Sequence, residues 1–125
     1  RTSNASALDF QGDLQAEQGL SAEVLRCSQE WPVQGHIGYV VGATYPAELA
    51  VARRLAPHAS FLIPGIGAQG GDLAAAVTYG AHDGIGPVIS ASRSVLYAAP
   101  GTDFVDAARA AARDLRDQIN GLRSS

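Results

Sequence analysis

Two short stretches carry residue types that can grip an anion. Pro64-Gly65-Ile66-Gly67-Ala68-Gln69-Gly70-Gly71-Asp72 follows an apolar run, Phe61-Leu62-Ile63, and precedes an alanine-rich segment starting at Leu73. Strand, glycine loop and helix in that order place bare backbone N–H groups at a helix start, where phosphate binds. A second apolar run, Pro87 to Ala91, ends in Ser92-Arg93. If the two strands are parallel neighbours, Arg93 stands beside the glycine loop. Its guanidinium fork matches a phosphate bidentately. The candidate phosphate loop is therefore Gly67, Gly70 and Gly71, with Gln69 as an amide donor and Arg93 joining from the next strand.

Each of these residues also has a plainer role. Glycines alone are accounted for by a tight strand-to-helix turn, although such a turn has no need of Gln69. Asp72 reads as the N-cap of the following helix, because a carboxylate there would repel phosphate. Arg93 can be an ordinary surface arginine. Against that, a helix N-terminus disfavours a cation, which an anion shared with the N–H groups would explain.

The elements that position these groups alternate in type. Ser21 reads as an N-cap, with Val24, Leu25 and Trp31 at helical offsets before Pro32 stops the helix. Ile37 to Ala43 is a continuous apolar run, as in a strand buried on both faces. Pro46 opens the next helix, with Leu49, Ala52, Leu55 and Ala56 inside, Arg53 and Arg54 outside, and Pro57 at its end. Then come a strand over residues 60–63, a helix over Gly70 to Tyr79 capped by Gly80, and a strand over Val88 to Ala91. A short helix over Arg93 to Tyr97 precedes a last one from Thr102, with Phe104, Ala108, Ala111, Leu115 and Ile119 on one face.

Arg1 to Asn4 reads as the end of an earlier strand, so the chain looks like a fragment, a single partial domain over residues 1–125. Alternating strands and helices predict a parallel α/β sheet. At roughly 30 residues per βα unit, four units fill the chain, which predicts half of a (β/α)8 barrel. A small flavodoxin-like sheet is the alternative. In barrels, the loops after strands 7 and 8 form a recurrent phosphate site, and the two anion-gripping stretches fit those positions.

Composition narrows the function. The chain has 125 residues, 46% of them hydrophobic, and a net charge of −3. That charge argues against nucleic-acid or anionic-membrane partners, and no apolar run approaches the ~20 residues of a membrane span. The lone Cys27 precludes an internal disulfide and fits a reducing cytoplasm. All nine basic residues are arginine. Chemistry that needs a lysine cannot be completed by this chain. His36, His58 and His82 are scattered without metal-ligand spacing and read as loop or surface residues, and no Ser–His–Asp or Cys–His set can be assembled. Ser3 and Asn4 close the first strand, placing them on the same rim if the barrel reading holds, or capping a turn otherwise.

Taken in order, Thr2-Ser3-Asn4, Val40-Val41-Gly42-Ala43-Thr44-Tyr45-Pro46, Pro64 to Gly71 and Ser92-Arg93 resemble orotidine 5′-phosphate decarboxylase, in its longer bacterial form. The resemblance implies the carboxy-terminal half of a (β/α)8 barrel, from the end of strand 5 through helix 8. It implies a cofactor-free decarboxylation of orotidine 5′-monophosphate to UMP by a homodimer. By the same resemblance, Ser3 contacts the pyrimidine, Gln69 bridges towards the phosphate, and Arg93 binds it with help from the Ser92 and Arg93 N–H groups. The family's Asp–Lys network has no counterpart here, so no catalytic residue is expected in this chain, and the chain alone is expected to be inactive. Ala5 stands where the family usually has Pro, and Ser94 where it often has Gly. A non-catalytic phosphate-binding module and another phosphate-handling barrel enzyme are the competing readings.

Overall fold

The structure is a computed structural model that describes residues 20–67 and 70–124. Its elements are α1 (Leu20–Gln29), β1 (Gly38–Val40), α2 (Pro46–Leu55), β2 (Ser60–Pro64), α3 (Leu73–Gly80), β3 (Val88–Ser90), α4 (Arg93–Leu96) and α5 (Phe104–Arg123). The three strands form one parallel sheet whose spatial order, β1-β2-β3, is the chain order. Parallel neighbours require a crossover, and α2 and α3 supply the two that are needed.

Strand periodicity sorts the side chains by face. Phe61 and Ile63 of β2 are buried, whereas Ser60 and Leu62 are exposed. Tyr39 and Ile89 pack on the buried side with Ala22 and Leu25 of α1, Leu49 and Ala52 of α2, Ala76 of α3 and Leu115 of α5. The opposite face carries Val40, Leu62 and Val88, exposed at 60%, 38% and 62%. Because Val40 pairs with Leu62 and Leu62 with Val88, the three lie in one row across the sheet. A doubly wound, flavodoxin-like sheet is covered on both faces. Here the helical core gathers on one face, as in a segment of a (β/α)8 barrel.

Several expectations need correcting. The strand read over residues 37–43 as doubly buried is only Gly38–Val40 and is covered on one side. Extended pairing does persist beyond it, with Val41 N–H donating to the Leu62 carbonyl and Ala43 N–H to that of Pro64. Ser21 lies within α1, and Trp31 lies beyond its end, 58% exposed. α3 begins at Leu73 rather than Gly70 and includes Gly80, leaving Ala81 as its cap. Phe104 is exposed, so only the later members of its stripe on α5 face inward.

Arg53 departs most from its expected outward position. Its Nε donates to the Tyr79 carbonyl at 2.9 Å and its Nη2 to that of Gly80 at 2.7 Å. Nη1 reaches the carbonyls of Ala56, Pro57 and Ala59 at 3.1, 3.2 and 2.8 Å. The guanidinium also stacks 3.9 Å from the centroid of the Phe61 ring. One cation thus serves the carbonyl-rich ends of both α2 and α3, where the helix dipoles favour positive charge. Burial pushes its pKa down, an effect that nearby Asp83 opposes.

The same end of the sheet holds a second tie. His58 Nδ1 lies 2.9 Å from Asp83 Oδ2, joining the loop after α2 to the loop after α3. That hydrogen bond holds the Asp83 carboxyl below its ordinary range. His82, expected in a loop or at the surface, has a side chain only 8% exposed with Nδ1 3.7 Å from the same oxygen. Among the described residues, no group of three His, Cys, Asp or Glu side chains could hold a metal ion. No described helix is long and apolar enough to cross a membrane.

Candidate functional site

At the opposite, carboxyl end of the strands, Pro64 pairs with Ser90. Gly65 and Ala91 therefore leave the sheet side by side, which is where parallel α/β folds place their ligands. Gly65, Gly67 and Gly70 adopt φ of 100°, 82° and 70°. Gly70 N–H donates to the Gly67 carbonyl at 2.8 Å and Gly71 N–H to that of Gly65 at 3.0 Å. The loop returns to its own start and is fastened sideways, Asp72 N–H donating to the Ala43 carbonyl beyond β1, so the N–H groups of Gly70, Gly71 and Asp72, expected to be bare, are spent on protein carbonyls.

Gly71 has no alternative at this point. A Cβ there would lie 2.6 Å from the Gly65 oxygen and 2.7 Å from Ala43 Cβ. Asp72 caps α3, its carboxylate accepting from Ala75 N–H at 2.9 Å, as its position in the sequence predicted. With its carboxylate turned to the helix, Asp72 serves the turn rather than a ligand.

The second wall is α4. Ser92 precedes it, its carbonyl accepting from Val95 and Leu96 N–H at 3.2 and 2.8 Å. Ser92 and Arg93 are both exposed. α4 is a single turn, so the helix-dipole argument about Arg93 carries little weight. Strand pairing and a contact made by its neighbour Ser94 bring α4 to the loop instead. A Cβ on Gly67 would meet Ser94 Oγ at 2.9 Å and Ser94 Cβ at 3.0 Å. The loop after β2 and the turn after β3 therefore touch.

Behind this contact, towards α5, lies a cavity of about 380 Å³, with Gly67, Gly71 and Ser94 on one side and Asp114 and Gln118 on the other. The Asp114 carboxylate suits it poorly to an anion. Of the seven residues expected at the site, the structure assembles Gly67, Gly70, Gly71, Ser92 and Arg93 at one end of the sheet. Ser3 and Gln69 lie outside the described residues. Ser94, expected only as a departure from the Gly common in the family, joins this end of the sheet through its contact with Gly67.

No family profile matches the chain. It is similar to the orotidine 5′-phosphate decarboxylase of Variovorax paradoxus, 42% identical over 128 residues that cover 98% of this chain and 47% of the relative. That of an Azoarcus species is 46% identical over 125 residues, covering 98% and 46%. Among solved structures, Leishmania donovani UMP synthase superposes with a TM-score of 0.78 at 41% identity, covering 97% of this chain and 26% of that one. The OMP decarboxylase of the same organism gives 0.78 at 37% identity, covering 100% and 46%. The chain spans about half the length of the curated relatives it matches. Sequence and fold agree on one family: along its whole length this chain resembles orotidine 5′-phosphate decarboxylase, and it corresponds to a carboxy-terminal half of it.

Proposed function

We propose that this chain grips the phosphate and the base of orotidine 5′-monophosphate in an enzyme that decarboxylates it to UMP. The observation that carries the reading is the meeting of the glycine loop and the Arg93 turn at the carboxyl ends of adjacent parallel strands. In this reading Arg93 clamps the phosphate through charge-assisted hydrogen bonds, with Gln69 and the Ser92 and Arg93 N–H groups beside it. Ser3 contacts the pyrimidine.

The chemistry belongs to a complementary half. Breaking the bond to the carboxylate leaves an electron pair on C6 of the ring, which must be stabilised and then protonated. A lysine ammonium does both in the mechanism implied by the family resemblance, and this chain has no lysine. Its own contribution is binding energy far from the reacting carbon, which holds the substrate and closes the site on the transition state. The exposed row of Val40, Leu62 and Val88 supports the need for a second half to cover that face. The assembled enzyme would be a cytoplasmic homodimer.

The test is a decarboxylation assay on this chain alone and joined to the amino-terminal half of a relative. Turnover of the nucleotide only by the joined protein is the expected result. Turnover by the isolated chain, or none by a well-folded joined protein, would overturn the reading.

A further inference from the structure

Gly67 stands so near Ser94 that a side chain at position 67 would crowd it. Gly67 has φ of 82°, where any side chain is strained, and a Cβ there would lie 2.9 Å from Ser94 Oγ. Both partners must therefore be small: glycine on the loop after β2, and a short side chain on α4. Ser94 is half-buried, whereas its neighbours Ser92 and Arg93 are exposed. It turns towards the protein while Arg93 stays in solvent.

The contact joins two segments that are each fastened separately. The glycine loop is held by Gly71 N–H on the Gly65 carbonyl and Asp72 N–H on the Ala43 carbonyl. α4 is held by its own turn, with Tyr97 N–H donating to the Arg93 carbonyl at 3.1 Å, and by packing against α5. Nothing in those two sets of bonds fixes the distance from Arg93 to the glycine loop. The strands set where both segments start, α5 backs α4, and the Gly67–Ser94 contact is where the two segments meet.

We propose that Ser94 is a positioning residue: its small side chain seats α4 against Gly67, and so fixes the spacing between the Arg93 guanidinium and the glycine loop that share one phosphate. The inference rests on the phosphate site described above. A longer or branched residue at 94 pushes α4 outward and widens the grip. Because the displaced groups touch only the phosphate, the penalty falls on substrates that carry one.

The experiment uses a full-length decarboxylase in which this chain supplies the carboxy-terminal half. It compares kcat/KM for orotidine 5′-monophosphate with that for orotidine, which lacks the phosphate. Ser94→Val should lower the nucleotide-to-nucleoside ratio by about tenfold, within the range of coupling expected between residues in contact. Ser94→Ala, which keeps the small volume, should hold the parent ratio. In a Gly67→Ala background, Ser94→Gly should recover part of the lost ratio, because it removes the steric half of the problem and leaves the backbone strain.

A Ser94→Val protein that loses activity equally on both substrates would show a role in folding only and overturn the inference. So would a Gly67→Ala loss that Ser94→Gly does not relieve. Arg93→Ala separates the two levels of argument. If it leaves the ratio unchanged, the phosphate site itself is wrong. If it collapses the ratio while Ser94→Val does not, only the positioning role fails.

Discussion

The two ends of the same three strands are built on opposite principles. Where the strands begin, Arg53 satisfies five carbonyls and stacks on Phe61, and His58 ties one loop to Asp83 on the next. The groups there face one another. Where the strands finish, Arg93 and Ser92 are exposed, and the loop between Gly65 and Gly71 holds its shape by its own backbone bonds. The groups there face outward. An arginine committed to backbone carbonyls stabilises the fold, and an arginine left in solvent beside the glycine loop is, on the proposed function, available to a ligand. Partition of that kind between a stability end and a ligand end is general in parallel α/β architecture.

The contrast breaks most visibly at Arg53. Arg53→Ala removes a partly buried donor fork and leaves several carbonyls without their partner. Charge-assisted hydrogen bonds contribute about 1.5–3 kcal/mol each and do not add fully, so a loss of about 4 kcal/mol in unfolding free energy is expected. Chemical denaturation reads it. The folded fraction should keep its nucleotide affinity, and a stability change below about 1 kcal/mol would show that the five contacts are idle.

Arg93→Ala should do the reverse. It should leave unfolding free energy within about 0.5 kcal/mol of the parent, as for other exposed positions. In the assembled enzyme it should lower kcat/KM on the nucleotide by about 3 kcal/mol of transition-state stabilisation, the size of a lost charged contact. Steady-state kinetics with the full-length protein test it, and unchanged kinetics would remove Arg93 from the site.

The smallest effect is electrostatic and belongs to the stability end. The His58 hydrogen bond depresses the Asp83 pKa in the folded state below its unfolded value. The resulting stabilisation is present above the unfolded carboxylate value, about 3.9, and disappears as pH falls through the lower folded value. Asp83→Asn should therefore flatten part of the acid-side fall in stability. Thermal melts at pH 7 and pH 3 should show the gap between parent and variant closing at the lower pH. Because Asp83 is exposed, the effect should be modest, and a gap that persists unchanged at pH 3 would exclude the carboxylate as its source.

What the sequence disclosed follows the range of the interactions concerned. Alternating apolar runs and amphipathic stretches revealed the parallel sheet, and the Asp72 cap was legible because its partner is three residues away. Pro46 at the first helical position was legible for the same local reason. Arg53 was misplaced because its neighbours in the helix put it on the outer face, while its length lets it curl around the helix end to carbonyls of another element. Ser94 was legible only as a departure from the family's usual Gly, because its partner is in a different loop and no periodicity relates them. The end of α1 was misjudged by trusting Pro32 as the stop, when the helix ends at Gln29. Ser3 and Gln69 rest on resemblance alone.

The sequential strand order has a consequence for how the sheet comes together. Gly38 and Ser60, partners across β1 and β2, are 22 positions apart, and Leu62 and Val88, across β2 and β3, are 26 apart. Closing either loop costs nearly the same entropy, because that cost rises only with the logarithm of length. Neither pairing waits on the other, and each is short-range for a parallel sheet. Assembly can therefore begin at either side of β2 and spread one βα unit at a time, with modest contact order and no distant strand needed for the first step.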